Sequence, residues 1–253
     1  MAETGKKRIP KIGCWLTSAN WRACEVLAAT GYDAIFIDGE HGTFSPESID
    51  MMVLLARSLS LEAYVRVATP TRPHIQQALD SGASALVLPQ IRDFAHAQEA
   101  ADYTKYAPLG SRGMGTPRSL NYRDAPADFI ERENKGTKCF IMIETAGALR
   151  DVEEILALPA VDGLFMGPYD LSLSRGRGPY TANEGDETDA NLIAKAATSF
   201  GKLLGVPTFG ERDIKRALEY RAEIVTIGDD VSALVGSLRD SYLRVAELLQ
   251  NSE

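Results

Sequence analysis

Two carboxylates stand at comparable places in one stretch of the chain. Glu144 closes the apolar run Ile141-Met142-Ile143, and Asp170 follows Leu164-Phe165-Met166 across Gly167-Pro168-Tyr169. A helix-like segment, 148–158, separates them. A strand, a helix and a second strand joined by a right-handed crossover would bring both acids to the carboxyl edge of a parallel sheet. Taken singly, each acid also reads as an exposed carboxylate or a helix N-cap. As a pair they repel unless a cation lies between them. All-oxygen ligands suit a divalent ion such as Mg²⁺, Mn²⁺ or Co²⁺, and zinc is disfavoured because His41 is the single histidine nearby in the predicted layout.

Other groups able to do chemistry fall at the ends of similar runs. Asp38-Gly39-Glu40-His41 follows one, Arg66 lies inside Tyr-Val-Arg-Val, Pro89 and Gln90 follow another, and Asp229-Asp230 follow the last. An Asp38–His41 pair would act as a general base, the carboxylate fixing the imidazole tautomer, and the alternative is a structural histidine. A guanidinium in an apolar strand needs a partner, here Glu40 or Glu144, and would clamp a developing enolate oxygen. His74 and His96 fall in predicted helices as surface or capping groups. The segment 110–115, Gly-Ser-Arg-Gly-Met-Gly, matches neither phosphate-binding glycine pattern. Glu211, Asp229 and Asp230 occupy the loops where barrels usually bind phosphate, so a phosphorylated substrate is not expected. No lysine stands at these run ends, which argues against Schiff-base chemistry.

The elements that must position these groups follow a rhythm. Apolar, β-branched runs occur at 12–16, 34–37, 63–67, 85–88, 139–143, 163–166, 203–207 and 224–227. They do not alternate, as expected of strands covered on both faces. Amphipathic segments at 19–30, 45–59, 73–81, 94–106, 149–158, 189–201, 211–221 and 231–249 read as helices. Ser45-Pro46 supplies an N-cap and an N1 proline, and Gly31, Gly82 and Gly201 stand where C′ glycines belong. The alternation predicts an α/β fold, a (β/α)₈ TIM barrel forming one domain over 1–253. A doubly wound open sheet competes, but the first run leads into Leu-Thr-Ser-Ala-Asn and no glycine-rich turn. Long connections at 108–134 and 170–187 are expected near the active face.

Bulk properties narrow the partners. The 253 residues are 45% hydrophobic and 25% charged, with net charge −8 and no basic patch, so neither nucleic acid nor membrane is expected as a partner. Cys14, Cys24 and Cys139 are widely spaced in apolar segments and read as buried thiols. The N-terminal Met-Ala-Glu-Thr-Gly-Lys-Lys-Arg is followed by no apolar h-region, so no secretory signal is read, and a cytoplasmic location is expected.

Taken together, Asp38-Gly39-Glu40-His41, Arg66, the segment 110–115, Ile143-Glu144-Thr145 and Gly167-Pro168-Tyr169-Asp170-Leu171-Ser172 resemble, in order and spacing, the HpcH/HpaI family of metal-dependent (class II) pyruvate aldolases. The resemblance spans about 13–234. It implies a metal on Glu144 and Asp170 and a 2-oxo acid bound through its keto and carboxylate oxygens. It implies a substrate site at Gly167, Pro168, Tyr169 and Asp170 that uses backbone N–H groups, with Arg66 on the keto oxygen and His41 with Asp38 in proton transfer. The implied partners are a 2-oxo acid, pyruvate or hydroxypyruvate, and an aldehyde. The implied assembly is a homohexamer, a trimer of dimers with an exchanged C-terminal helix. Two positions depart from the pattern: Met142 stands where many members carry glutamine, and Tyr169 where many carry alanine. With the long, charged loop 175–187 they leave the aldehyde partner open. The competing readings are a related synthase that condenses a 2-oxo acid or oxaloacetate with another electrophile, and a non-catalytic 2-oxo-acid-binding protein, which Met142 would support.

Overall fold

The computed structural model describes residues 9–250. Residues 1–8, on which the reading of no secretory signal rests, and 251–253 lie outside the described residues, as do the outer ends of the expected single domain.

Eight parallel strands pair in chain order and close into a barrel. They are β1 Lys11–Leu16, β2 Ala34–Asp38, β3 Glu62–Arg66, β4 Ala85–Leu88, β5 Lys138–Ile143, β6 Gly163–Met166, β7 Leu203–Thr208 and β8 Ile224–Asp229. Each expected run is a strand, and the pairing of β1 with β8 excludes the open sheet. The runs do not alternate because both faces are buried. Ile35, Ile37, Val65, Leu88 and Ile141 face the helices, while Phe36, Tyr64, Phe140, Met142 and Phe165 fill the barrel.

That interior is a stack of rings. Phe36 stacks on Tyr64 at 4.5 Å and lies 4.8 Å from Trp15 and 5.5 Å from Phe165. Each such pair contributes about 0.5–1.5 kcal/mol beyond its buried area. Glycines leave the rings room: a Cβ at Gly13 would lie 2.5 Å from Phe36, and one at Gly205 2.2 Å from Phe165. Gly205→Ala is therefore expected to destabilise the fold by about 1–3 kcal/mol through overpacking, read as a shifted denaturation midpoint with unchanged slope.

Around the barrel run α1 Trp21–Thr30, α2 Pro46–Ser58, α3 Arg72–Asp80, α4 Phe94–Asp102, α5 Phe129–Gly136, α6 Ala146–Arg150, α7 Val152–Leu156, α8 Pro168–Ser174, α9 Glu184–Ser199, α10 Glu211–Glu219 and α11 Asp230–Gln250. Ser45 caps α2 by accepting from the Ser48 N–H, and Gly31, Gly82 and Gly201 adopt left-handed φ of 92°, 91° and 63°. The helix expected at 149–158 is instead two short helices broken at Asp151, whose carboxylate accepts the Phe94 N–H and binds Arg150. The expected helix 94–106 stops at Asp102. The long connections carry α5, α8 and the first turn of α9, which Asn183 and Asp186 close with a capping box.

The segment 110–115 is tied down through its arginine. Arg112 is buried, pairs with Asp80 at 3.1 Å and Glu133 at 3.4 Å, and lies over the Tyr106 ring. The helix histidines are local caps: His74 Nδ1 lies 2.8 Å from the Thr69 hydroxyl, and His96 Nδ1 accepts the Arg92 N–H. Among the described residues no helix is long and apolar enough to cross a membrane.

Candidate active site

A cavity of about 840 Å³ opens at the carboxyl ends of the strands, and Asp38, His41, Arg66, Met142, Glu144 and Asp170 all line it. This volume lies toward the upper end of the usual range for small-molecule sites.

Asp38 and Arg66 are cross-strand partners in the β2–β3 register, so their side chains leave the same face. Arg66 Nε donates to Asp38 Oδ1 at 2.9 Å and Nη2 to Oδ2 at 2.7 Å, a bidentate fork. Its Nη1 lies 3.3 Å from Glu40 and 4.0 Å from the Met142 sulfur, and the guanidinium sits 4.8 Å over the Trp15 ring. The guanidinium is thus fixed on several sides before any ligand arrives. Burial pushes the Asp38 carboxyl up, but the hydrogen bonds and charge of Arg66, with the His41 and Glu40 N–H groups, hold it below its usual range. Of the two partners expected for Arg66, Glu40 is one; the stronger is Asp38, and Glu144 is not bonded to it.

This fork corrects the expected Asp38–His41 pair. Asp38 accepts the His41 backbone N–H at 3.0 Å, and its oxygens are otherwise taken by Arg66 and the Glu40 N–H. The carboxylate shapes the turn that carries His41 but does not orient its ring. The imidazole is 62% exposed, with Nε2 3.9 Å from Glu40 Oε2.

Glu144 is buried at the end of β5. One oxygen accepts the Gln90 N–H, and the other, Oε2, has no hydrogen-bond partner. Gln90 is a residue whose role the sequence hides: it holds a left-handed φ of 52°, which aims its backbone N–H at Glu144. Gly167 packs against Glu144, where a Cβ would meet Oε2 at 2.9 Å. Asp170 lies in the first turn of α8, just beyond β6. Burial, then the Glu40 and Asp170 charges, push the Glu144 carboxyl up to about 8, against the opposing pull of the Gln90 N–H and Arg66.

A buried carboxylate oxygen without a donor, crowded by further carboxylates, lacks one thing: positive charge. Among the described residues no cluster of three or more His, Cys, Asp or Glu side chains could enclose a metal alone. The all-oxygen donors of Glu144 and Asp170 fit a hard divalent ion, which would need further oxygen ligands from outside the protein. Without the ion, folded Glu144 keeps a proton that the unfolded chain, near 4.5, gives up. Its contribution to stability therefore falls as pH rises from about 5 to 8. In chelator, the melting temperature of the wild type relative to Glu144→Gln is expected to fall across that window, and divalent ion should flatten the difference. A difference independent of pH would contradict this.

Beside Tyr169 the cavity also has an apolar wall whose other residues the sequence did not announce. Tyr169 is 5.2 Å from both Tyr180 and Phe209, and Phe209, Ile214 and Ile227 line the opening.

Comparison with known proteins places this geometry. The chain is 34% identical to a hydroxypyruvate/pyruvate aldolase of Agrobacterium fabrum, over 91% of this chain and 87% of that one. It is 32% identical to a 4-hydroxy-2-oxo-heptane-1,7-dioate aldolase of Salmonella dublin, over 89% and 86%. A crystal structure of an HpcH/HpaI aldolase from Desulfitobacterium hafniense superposes with a TM-score of 0.88 at 26% identity, covering 94% of this chain and 93% of that one. The family model described as HpcH/HpaI aldolase/citrate lyase matches residues 11–236. With its closed barrel and the Asp38–Arg66 and Glu144–Asp170 groups at one rim, the chain belongs to the HpcH/HpaI aldolase/citrate lyase family.

Proposed function

We propose that this chain is a metal-dependent aldolase that reversibly cleaves a 4-hydroxy-2-oxo acid to pyruvate, or a related 2-oxo acid such as hydroxypyruvate, and an aldehyde. The observation that carries the reading is the buried, partnerless Oε2 of Glu144, in the same cavity as Asp170 and the prefixed guanidinium of Arg66. The names of the relatives support it.

Glu144 and Asp170 would hold Mg²⁺, Mn²⁺ or Co²⁺, which when bound would supply Lewis-acid chemistry toward a 2-oxo acid. Arg66 sets its charge against the keto oxygen, where negative charge develops. Because Asp38 takes two of its N–H groups, the fork cannot swing away as that charge builds. Asp38 is therefore a positioning residue. The Tyr169 and Asp170 N–H groups, in the first turn of α8 and without intrahelical acceptors, receive the substrate carboxylate with Gly167 and Pro168 shaping the approach. Met142 contacts the substrate beside Arg66 through a soft, weakly accepting sulfur. His41, open to solvent, takes the proton from the C4 hydroxyl in cleavage, directly or through water, and returns it in condensation.

The test is exchange of pyruvate C3 protons with D₂O in the presence of metal. Exchange supports the aldolase; binding without exchange would favour the non-catalytic alternative.

The working assembly is a homo-oligomer of this chain, a hexamer built as a trimer of dimers. Its support is α11, which buries none of its residues and exposes Val231, Leu234, Val235, Leu238, Tyr242 and Leu243. Light scattering should give a multiple of the 27.5 kDa chain mass, reduced by Leu238→Glu. The cytoplasm suits the three free, buried thiols, whose burial pushes Cys14 up to about 11 and Cys24 and Cys139 up to about 12.

A further inference from the structure

From β6 round to β8 the cavity wall changes character. Near Arg66 and Glu144 it is charged. Beyond them Tyr169, Phe209, Ile214 and Ile227 present apolar surface, and Tyr169 and Phe209 remain 50% and 54% exposed. The two rings meet edge to face at 5.2 Å with Tyr180 behind them, so they are held in place while their free faces border the cavity. The charges on this arc are negative. Among the described residues, the Asp229 side chain is bonded only to the neutral N–H and hydroxyl of Ser232, and Glu211 is paired with Lys215 at 2.6 Å. The arginines of α10 are paired with carboxylates, Arg212 with Asp213 at 3.5 Å and Arg216 with Glu187 at 2.9 Å, and neither lines the cavity. Among the described residues, Arg66 is the one Lys or Arg lining the cavity.

Resting on the aldolase reading, we propose that the aldehyde partner is uncharged and carries an aromatic or branched aliphatic tail, seated against Tyr169, Phe209, Ile214 and Ile227. A carboxylate-tailed aldehyde, the kind released from a heptanedioate aldol, meets no lysine or arginine side chain among this chain's residues lining the arc, and it loses hydration against apolar surface. The condensation balances without a co-reactant: C3 of the 2-oxo acid loses a proton and bonds to the aldehyde carbon, and the aldehyde oxygen gains a proton.

The experiment compares 4-methylpentanal with 4-oxobutanoate, near-isosteric chains ending in isopropyl or carboxylate, at fixed pyruvate and Mn²⁺. The expected kcat/KM ratio favours 4-methylpentanal by roughly tenfold or more. Phe209→Lys should narrow or reverse that ratio, and a ratio within one preparation is insensitive to partial misfolding. Equal rates or a preference for 4-oxobutanoate, with C3 exchange intact, would overturn this inference alone. Absence of C3 exchange in the wild type would overturn the aldolase reading and this inference with it.

Discussion

Glu144→Gln is expected to lower metal-dependent kcat/KM by about a thousandfold or more, the scale set by losing several kcal/mol of transition-state charge stabilisation. Glutamine keeps the length of the side chain and an oxygen able to accept the Gln90 N–H. It removes the charge that, with Asp170, would hold a cation. The variant should remain folded and, in chelator at pH 8, be more stable than the wild type, because a buried charge repelled by Glu40 and Asp170 is gone. Loss of Mn²⁺ binding by titration calorimetry, alongside a raised metal-free melting temperature, would separate this from misfolding. Full activity of Glu144→Gln in metal-stripped buffer would sink the metal assignment.

Arg66→Lys should cost about a hundredfold or more in kcat, with a smaller change in KM, because the lost interaction is strongest at the transition state. Lysine keeps the charge but cannot fork to both Asp38 oxygens and lie over Trp15 while still facing the cavity. Arg66→Ala is less informative. It strands the Asp38 and Glu40 carboxylates, both largely buried, and breaking such a pair costs about 3–5 kcal/mol of stability. Asp38→Asn is the companion variant: a positioning role predicts a lower kcat with pyruvate KM little changed, whereas a direct proton-transfer role predicts a shifted pH profile. An Arg66→Lys enzyme with wild-type kcat would remove Arg66 from the chemistry.

The barrel was legible because burial on both faces leaves runs such as Ile35-Phe36-Ile37 and Leu86-Val87-Leu88 that fit nothing else at that length and spacing. The charged residues at run ends were legible for the same reason: in a parallel barrel every strand delivers its carboxyl end to one rim. The partners of those residues were not. That Asp38 faces Arg66 depends on register between strands, which no local pattern records. Gln90 was hidden because its contribution comes from a backbone N–H and a positive φ, neither of which its side chain advertises. Helix α8 was missed because a seven-residue helix opening on Gly167-Pro168 reads equally as a turn. The wall around Tyr169 was not legible because Tyr180, ten residues further along the β6–β7 connection, and Phe209, just after β7, are ordinary loop aromatics when taken alone.

The contact between Trp15 and Arg66 gives the molecule a built-in optical reporter. The chain holds two tryptophans, and Trp21 lies half-exposed on α1, away from the cavity. Trp15 lies in the cavity, its ring 4.8 Å beneath the guanidinium and its indole N–H bonded to Thr226. A cation over an indole face perturbs its excited state, and an anionic ligand drawn to Arg66 changes that perturbation. In a Trp21→Phe background the intrinsic emission becomes a direct titration of the oxo-acid site, readable without turnover and without knowing which aldehyde completes the reaction.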